Sequence, residues 1–357
     1  MKVCILGSGL TALTLAKALV NQNIFIDLVS SHKKFKNSSS RTIGITKSNC
    51  DYFNRNIVNI DKFIWKLKKI EIYTDKLVNK KILKFENKDQ LFSIIKNNHV
   101  YSTLNRSLSK NKFFKKIKLE EKYIELDKYN LIINTDYKSN FTKKYFSKKI
   151  EKTYDSSAYT TVIYHERILN DVAIQIFTKF GPLAFLPISS NKTSIVYSIH
   201  NSKINNSVKI IELINKYNFK YKIKKIEELE SFDLKSFVLR SYYYKNILAF
   251  GDLLHRIHPL AGQGFNMTIR DIKILINIIK NKIDLGMPID SSVNKEFEKK
   301  LRSKNYIFSS GIDFIHEFFN FERKLNSSIL TKSIKLLGRN TSIKKMFNSI
   351  ADKGINF

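Results

Sequence analysis

The chain has 357 residues, enough for two domains or one elaborated α/β unit, and 43% of them are hydrophobic, which supplies a large core and excludes a disordered protein. Lys and Arg number 63 against 31 Asp and Glu, a formal net charge of +32, yet only 10 of the 63 are Arg, and Asn, Ile and Phe abound while Gly (11) and Pro (4) are scarce. That skew matches what A/T-rich codons supply, and with no RNP, zinc-finger or helix-turn-helix signature beside it, no nucleic-acid partner is expected.

Residues 2–6, KVCIL, read as a buried strand running into Gly7-Ser8-Gly9-Leu10-Thr11-Ala12, followed by a helix over 10–20 and a strand over 24–29. Gly7 permits the tight turn, Gly9 lets the backbone approach a pyrophosphate, and the small Ala12 lets the helix pack on the sheet. The pattern predicts a dinucleotide site at the positive end of that helix. The acid that such a site carries at the end of its second strand is replaced by Ser30, which offers one hydrogen bond; Asp27 comes too early and points elsewhere. Cys4 alternates into the first strand as a small buried residue. Neither it nor Cys50 lies in a CxxC or Cys/His cluster, so neither a disulfide framework nor a metal site is expected.

Residues 31–40 are polar and Ser-rich and read as a loop ending at Arg41. Thr46 or Ser48 caps a helix from about 49 to 56, short strands fall at 70–73 and 82–85, and FSII at 92–95 is another apolar run. Asn97 or Asn98 caps a helix over 99–109, and LIIN at 131–134 is a buried strand ending at Asp136. From about 153 the runs YTTVIYHE, VAIQIF, LAFLPIS, SIVYSIH and FVLRSYYY, interrupted by a helix at about 207–217, predict an antiparallel sheet inserted within the nucleotide domain. Its residues 172–187 and 195–199 are candidate pocket lining, with plain sheet core as the alternative. After Gly264 the chain reads as helical to the end, with breaks near 286–288, Gly311 and Gly338. No apolar run approaches the roughly 18 residues that span a bilayer, and the N-terminus lacks a signal-peptide layout, so a cytoplasmic protein is expected.

The most specific stretch is GDLLHRIHPLAGQGFN at 251–266. Asp252 stands where the apolar run 247–250 ends, a carboxylate placed to grip ligand hydroxyls. Gly262 and Gly264 then open an apolar helix with bare backbone N–H groups that can neutralise a carbonyl or a reduced ring. His255 and His258, spaced i, i+3 in a loop with no third ligand type nearby, do not make a metal site; His258 orients the loop or borders a pocket.

Together, GSGLTA, Arg41 within SRTIGIT, GPLAFLP at 181–187, GDLLHRIHPLAGQGFNMTIRD and the ending through Ala351-Asp352-Lys353-Gly354 resemble class A flavoprotein monooxygenases, and among them the ubiquinone-biosynthesis hydroxylases. The resemblance implies an α/β fold with a discontinuous Rossmann-like FAD-binding domain (1–69, 92–150 and 246–285). It adds an inserted, mostly antiparallel β-sheet substrate domain (70–91 and 151–245) and a C-terminal helical region (286–357). It implies FAD, with Gly7, Gly9 and Thr11 at the pyrophosphate, Ser30 at the adenosine end, Arg41 along the ribityl and phosphate chain, and Asp252 at the ribityl or pyrophosphate region. Gly262, Gln263, Gly264, Phe265 and Asn266 would approach the isoalloxazine ring, and Pro259 joins the cofactor residues.

The implied activity is hydroxylation of the aromatic ring of a polyprenylated phenol through a flavin hydroperoxide. NAD(P)H would be the electron donor, and no catalytic acid or base is assigned. A prenylated substrate lives in the membrane. The lysine-rich, aromatic stretch 314–350 therefore suggests a peripheral protein on the inner face of the cytoplasmic membrane, working with other ubiquinone-biosynthesis proteins; a helical cap on the core is the alternative. Ser30, Tyr137 in place of a glycine after Asp136, and Lys96 in place of an acid depart from the family pattern. They keep open another flavin oxidoreductase of the superfamily, or a non-catalytic FAD-binding subunit of a biosynthetic complex.

Overall fold

The computed structural model describes residues 1–30, 41–75, 81–118, 124–200, 206–257, 262–324 and 352. The chain opens with β1 (Lys2–Leu6), α1 (Leu10–Val20), β2 (Phe25–Val29), β3 (Thr42–Thr46), α2 (Lys47–Asn56), β4 (Trp65–Leu67), β5 (Lys69–Thr74) and β6 (Lys81–Glu86). It continues through β7 (Phe92–Lys96), α3 (Asn97–Ser109), β8 (Phe114–Ile117), β9 (Leu131–Asn134) and α4 (Asn140–Tyr145). Next come β10 (Lys149–His165), β11 (Val172–Thr178), β12 (Gly181–Ser189), β13 (Lys192–His200), α5 (Ser207–Tyr217), β14 (Ile223–Ile226) and β15 (Glu230–Leu239). The last elements are β16 (Tyr243–Tyr244), β17 (Ile247–Ala249), β18 (His255–Arg256), α6 (Gln263–Asp284) and α7 (Ser291–Lys324).

A six-stranded sheet runs in the order β16-β17-β9-β1-β2-β8, and every pairing from β17 to β8 is parallel. Strands covered on both faces must be apolar nearly throughout, and Val3–Leu6, Leu131–Ile133 and Ile247–Ala249 are all buried. Helices α1, α3 and α6 contribute the other side of this core through Leu13, Leu104 and Ile272. Asp27 is the exception inside β2. Its carboxylate is held by the Lys2 ammonium at 2.7 Å and receives the Tyr129 hydroxyl at 2.9 Å, so it faces away from the strand's carboxyl end.

The second sheet has nine strands among the described residues, ordered β18-β15-β10-β13-β12-β11-β5-β6 with β14 added on β10. It is antiparallel except for the β5–β11 pair. Strand alternation sorts its two faces. Ile163, Ile176, Phe185, Ile195 and Tyr197 pack outward beneath Ile210 and Ile214 of α5. The opposite, inner face includes Ala173, Leu186 and Ile188, which rest on Leu67, Phe92 and Ile94. The latter three belong to a small third sheet, β3-β7-β4, which separates the two larger ones.

This is the expected α/β architecture: a Rossmann-like parallel sheet, an inserted and mostly antiparallel sheet, and helices toward the C-terminal side. Three local expectations are corrected. The β3-β7-β4 sheet joins TIGIT and WKL, where no strand is expected, to the apolar run at 92–95, because both find their partners only through the later strand β7. Helix α7 continues through Gly311, where a glycine costs about 1 kcal/mol relative to Ala, a loss offset by burial of Val293, Phe297, Leu301 and Phe308. Helices α2 and α3 begin at Lys47 and Asn97, earlier than predicted, and neither Thr46 nor Lys96 at the N-cap caps with its side chain. The Ser48 N–H is instead bonded to the Asp352 carboxylate at 3.0 Å. Gly338 lies outside the described residues.

Candidate cofactor and substrate site

Gly7 ends β1 with φ +122°, in the left-handed half of conformational space, and a Cβ there would stand 2.3 Å from the Thr135 hydroxyl. Gly9 occupies the N-cap of α1 in extended conformation with no side chain over the helix end. The first-turn N–H groups are therefore left to a ligand or solvent. Gly251 also has positive φ, +66°, and a Cβ on it would lie 2.4 Å from Cγ2 of Thr11. The glycine turns from opposite ends of the sequence thus abut, with Thr11 as the point of contact. Asp252, on the short 3-10 turn Gly251–Leu253, is exposed and makes no hydrogen bond or ion pair among the described residues.

Helix α6 supplies the third piece. Its N-cap, Gly262, has φ +61° and lies against Gly44 of β3. A Cβ on Gly264 would meet no atom of the described residues within 4 Å. Gln263 is buried, and its Oε1 has no partner among the described residues. Phe265 turns toward Phe53, ring centres 6.2 Å apart. Asn266, expected at the isoalloxazine ring, spends its whole amide on the protein. Nδ2 donates to the carbonyls of Gly44 (2.9 Å) and Gly262 (3.1 Å), while Oδ1 accepts from Thr46 N and from Asn49 Nδ2, each at 3.0 Å. Its side chain ties α6 to β3 and has no capacity left for a ligand.

Arg41 is exposed at the start of β3, its guanidinium 5.6 Å from the centre of the Phe232 ring on the inner face of the large sheet. Its carbonyl accepts from Asn97 N at 3.0 Å. Beside it, at the start of α3, three buried polar atoms lack partners among the described residues: Asn97 Oδ1, Asn98 Oδ1 and His99 Nδ1. His99 titrates below its ordinary range because burial and then the Lys96 charge disfavour its cation. Sequence patterning passes these residues over, since it treats Asn97 and Asn98 only as helix caps. Ser30 is half-buried at the end of β2, its N–H bonded to the Ile117 carbonyl at 3.2 Å. Tyr137 is 62% exposed and has no positive φ, so the backbone here does not require glycine.

His255 and Asp271 form a buried pair, Nε2 to Oδ2 2.5 Å, with their side chains 0% and 1% exposed. Asn305 of α7 donates to the other Asp271 oxygen at 3.4 Å. The turn bearing Asp252 is thereby fastened to α6 and α7. No group of three His, Cys, Asp or Glu side chains suited to a metal occurs among the described residues. His258 and Pro259 lie outside the described residues.

FAD fits what is present. A free helix end faces the turn at Gly7 and Gly9, an unengaged carboxylate stands beside it, and a helix N-terminus with an orphaned Gln263 lies beyond. Together they match a diphosphate flanked by hydroxyls on one side and a polar ring edge on the other. Residues 206–284 match the family model described as FAD binding domain. The chain is 25% identical over 231 residues to the ubiquinone biosynthesis monooxygenase COQ6, mitochondrial, of Schizosaccharomyces pombe, across 52% of this chain and 48% of that protein. It is 31% identical over 158 residues to 3-demethoxyubiquinol 3-hydroxylase of Escherichia coli, across 42% and 40%. The chain thus spans half or less of the length of these curated relatives.

Two solved structures share the fold. One is p-nitrophenol 4-monooxygenase PnpA from Pseudomonas putida (TM-score 0.79, 13% identity, covering 97% of this chain and 96% of that one). The other is HpxO of Klebsiella pneumoniae complexed with FAD and uric acid (TM-score 0.74, 11% identity, covering 99% and 96%). The chain thus shares the fold of these two enzymes, and its match over residues 206–284 supports FAD as the cofactor. Its curated sequence relatives include enzymes named for ubiquinone biosynthesis.

Gly264→Ala separates cofactor contact from folding. With no described atom within 4 Å of a Cβ at Gly264, and Ala the better helix former by about 1 kcal/mol, the cofactor-free variant should melt no lower than the parent. The methyl group should nonetheless weaken FAD binding about tenfold by a flavin-fluorescence titration. A lower melting temperature with unchanged FAD affinity would remove Gly264 from the site.

Proposed function

We propose that this protein hydroxylates the aromatic ring of a polyprenylated phenol in ubiquinone biosynthesis, using FAD, O2 and NAD(P)H. The observation that carries this is the meeting of the Gly7–Thr11 turn, the Gly251–Asp252 turn and the start of α6 beside an inner sheet face of small and apolar side chains. The ubiquinone-biosynthesis names of the sequence relatives supply the substrate class. When bound, FAD supplies electron transfer from the nicotinamide and activation of O2.

The protein's part is to bind, orient and keep dry. The N–H groups from Gly9 to Thr11 and the positive end of α1 would hold the pyrophosphate, Asp252 would accept hydrogen bonds from ribityl hydroxyls, and Arg41 would bind the phosphate chain. Ser30 stands at the adenosine end. Gln263, Gly264 and the α6 N–H groups neutralise charge at the ring edge, and the inner sheet face excludes water from the reacting ring. Phe265 borders the same region. This assignment follows a division into a discontinuous cofactor domain (1–69, 92–150, 246–285), a substrate domain (70–91, 151–245) and a helical region from 286. Tyr137, which needs no glycine conformation, removes one motive for a non-catalytic subunit.

No helix among the described residues is long and apolar enough to cross a membrane. In this proposal the prenylated substrate is collected from a bilayer surface at the cytoplasmic face. Exposed Tyr306 and Ile307 on α7, near Arg302 and Lys304, suit an anionic interface. Most of the stretch 314–350 lies outside the described residues. The test presents a polyprenylphenol in anionic vesicles to the yellow protein. The expected result is phenol-dependent NAD(P)H oxidation and O2 uptake with one oxygen atom added to the ring, and vesicle binding that falls as salt rises. Phenol-independent turnover, or a product with no added oxygen, would refute the hydroxylase.

A further inference from the structure

We propose that the Thr160 hydroxyl is the hydrogen-bond partner of the substrate's ring oxygen and makes the pocket selective for free phenols, an inference that rests on the hydroxylase function proposed above. Strand β10 lies between β13 and β15 in the large sheet. Ile163 packs on its outer face, so Ala158, Thr160 and Val162 point inward by alternation.

Two contacts locate that stretch above the cofactor residues. Ser194, opposite Val162, accepts a hydrogen bond from Thr42 Oγ1 at 2.9 Å. Phe232, opposite Ala158, carries the Arg41 guanidinium on its ring. Thr160 stands between these two points and so overhangs the Arg41–Thr42 step at the edge of the cradle. Its cross-strand neighbours are Val196 on one side and Glu230 on the other, and beyond Val196 the row continues to Ala184. Val196 and Ala184 are small and apolar, and Val196 is only half-buried, so on that side no bulky side chain stands beside Thr160.

Thr160 is 6% exposed, and its Oγ1 has no hydrogen-bond partner among the described residues. A buried hydroxyl left unpaired destabilises the fold, and valine would fill the same volume without that cost. Two other polar groups of this face are engaged, Ser194 with Thr42 and Gln175 with the Leu183 carbonyl at 3.1 Å. A threonine hydroxyl can accept from a phenol or donate to a phenolate, so it serves the ring oxygen in either protonation state. A ring without oxygen would leave it unpaired, and sites built this way reject such analogues.

The test measures binding of 2-prenylphenol and of prenylbenzene, which lacks the hydroxyl, to the FAD-loaded protein by calorimetry. The parent should prefer the phenol about tenfold or more. Thr160→Val and Thr160→Ala should bring the ratio close to one, Thr160→Ser should restore it, and FAD affinity should stay unchanged in all three. Variants that keep the preference would overturn the contact and leave the hydroxylase function standing. A FAD-loaded parent that binds neither compound would overturn the phenol function, and this contact with it.

Discussion

Asp252→Ala is expected to give a folded protein that purifies colourless. The side chain is exposed and makes no hydrogen bond or ion pair among the described residues, so the fold loses little when it is truncated. Toward a ligand the situation differs. A hydrogen bond to an ionised carboxylate contributes about 1.5–3 kcal/mol, and two hydroxyls bound by one carboxylate reach roughly 3 kcal/mol or more. The FAD dissociation constant should rise about 100-fold or further. The ratio of flavin absorbance to protein absorbance after gel filtration, with a fluorescence titration of the cofactor-free protein, measures this. Asp252→Asn, which keeps the shape but loses the charge, should fall between. A yellow Asp252→Ala protein of parental affinity would show that the motif residue does not hold the cofactor.

Asp271→Ala should produce the largest loss of stability, about 3–5 kcal/mol, because it strands the His255 ring in a site that admits no solvent. It also leaves the Asn305 amide without its acceptor. The denaturant midpoint should shift accordingly, and FAD affinity should fall too, since the pair fixes the Asp252-bearing turn relative to α6. Replacing both partners with leucine should recover much of the stability but not the cofactor affinity, as a hydrophobic pair fills the volume without fixing the angle of the turn. Parental stability in Asp271→Ala would mean that the pair is not a fastening.

How much of this was legible beforehand depends on how local each signal is. The β1–turn–α1 unit announces itself because Gly7, Gly9 and the apolar stripe of α1 lie within twenty residues. The alternation of β12 and β13 is equally plain. Asp252 and Gly264 could be singled out because a rare residue type is concentrated around them. Asn266 was misjudged in role: its neighbours in sequence suggest a ligand contact, whereas its actual partners Gly44, Thr46 and Asn49 come from the far end of the chain. The Asp271–His255 pair escaped notice because an acid inside an amphipathic helix looks like any surface charge until its partner is known. The same holds for Asn97 and Asn98, whose unpaired oxygens are visible only once Arg41 is placed beside them. The β3-β7-β4 sheet stayed hidden because strands of three to five residues carry little periodicity.

The order of strands in the parallel sheet has a consequence for how the molecule comes into being. β17, formed by Ile247–Ala249, docks on β9, which itself docks on β1. A chain emerging from the ribosome therefore carries β1, β2 and β9 with one side of β9 unsatisfied until the whole antiparallel insert has been synthesised. Pairings so distant in sequence are slow to form. The insert can nucleate first through its hairpins, and the coenzyme-holding half is then completed around it, so free flavin in the cell can act as a late trap for the finished topology.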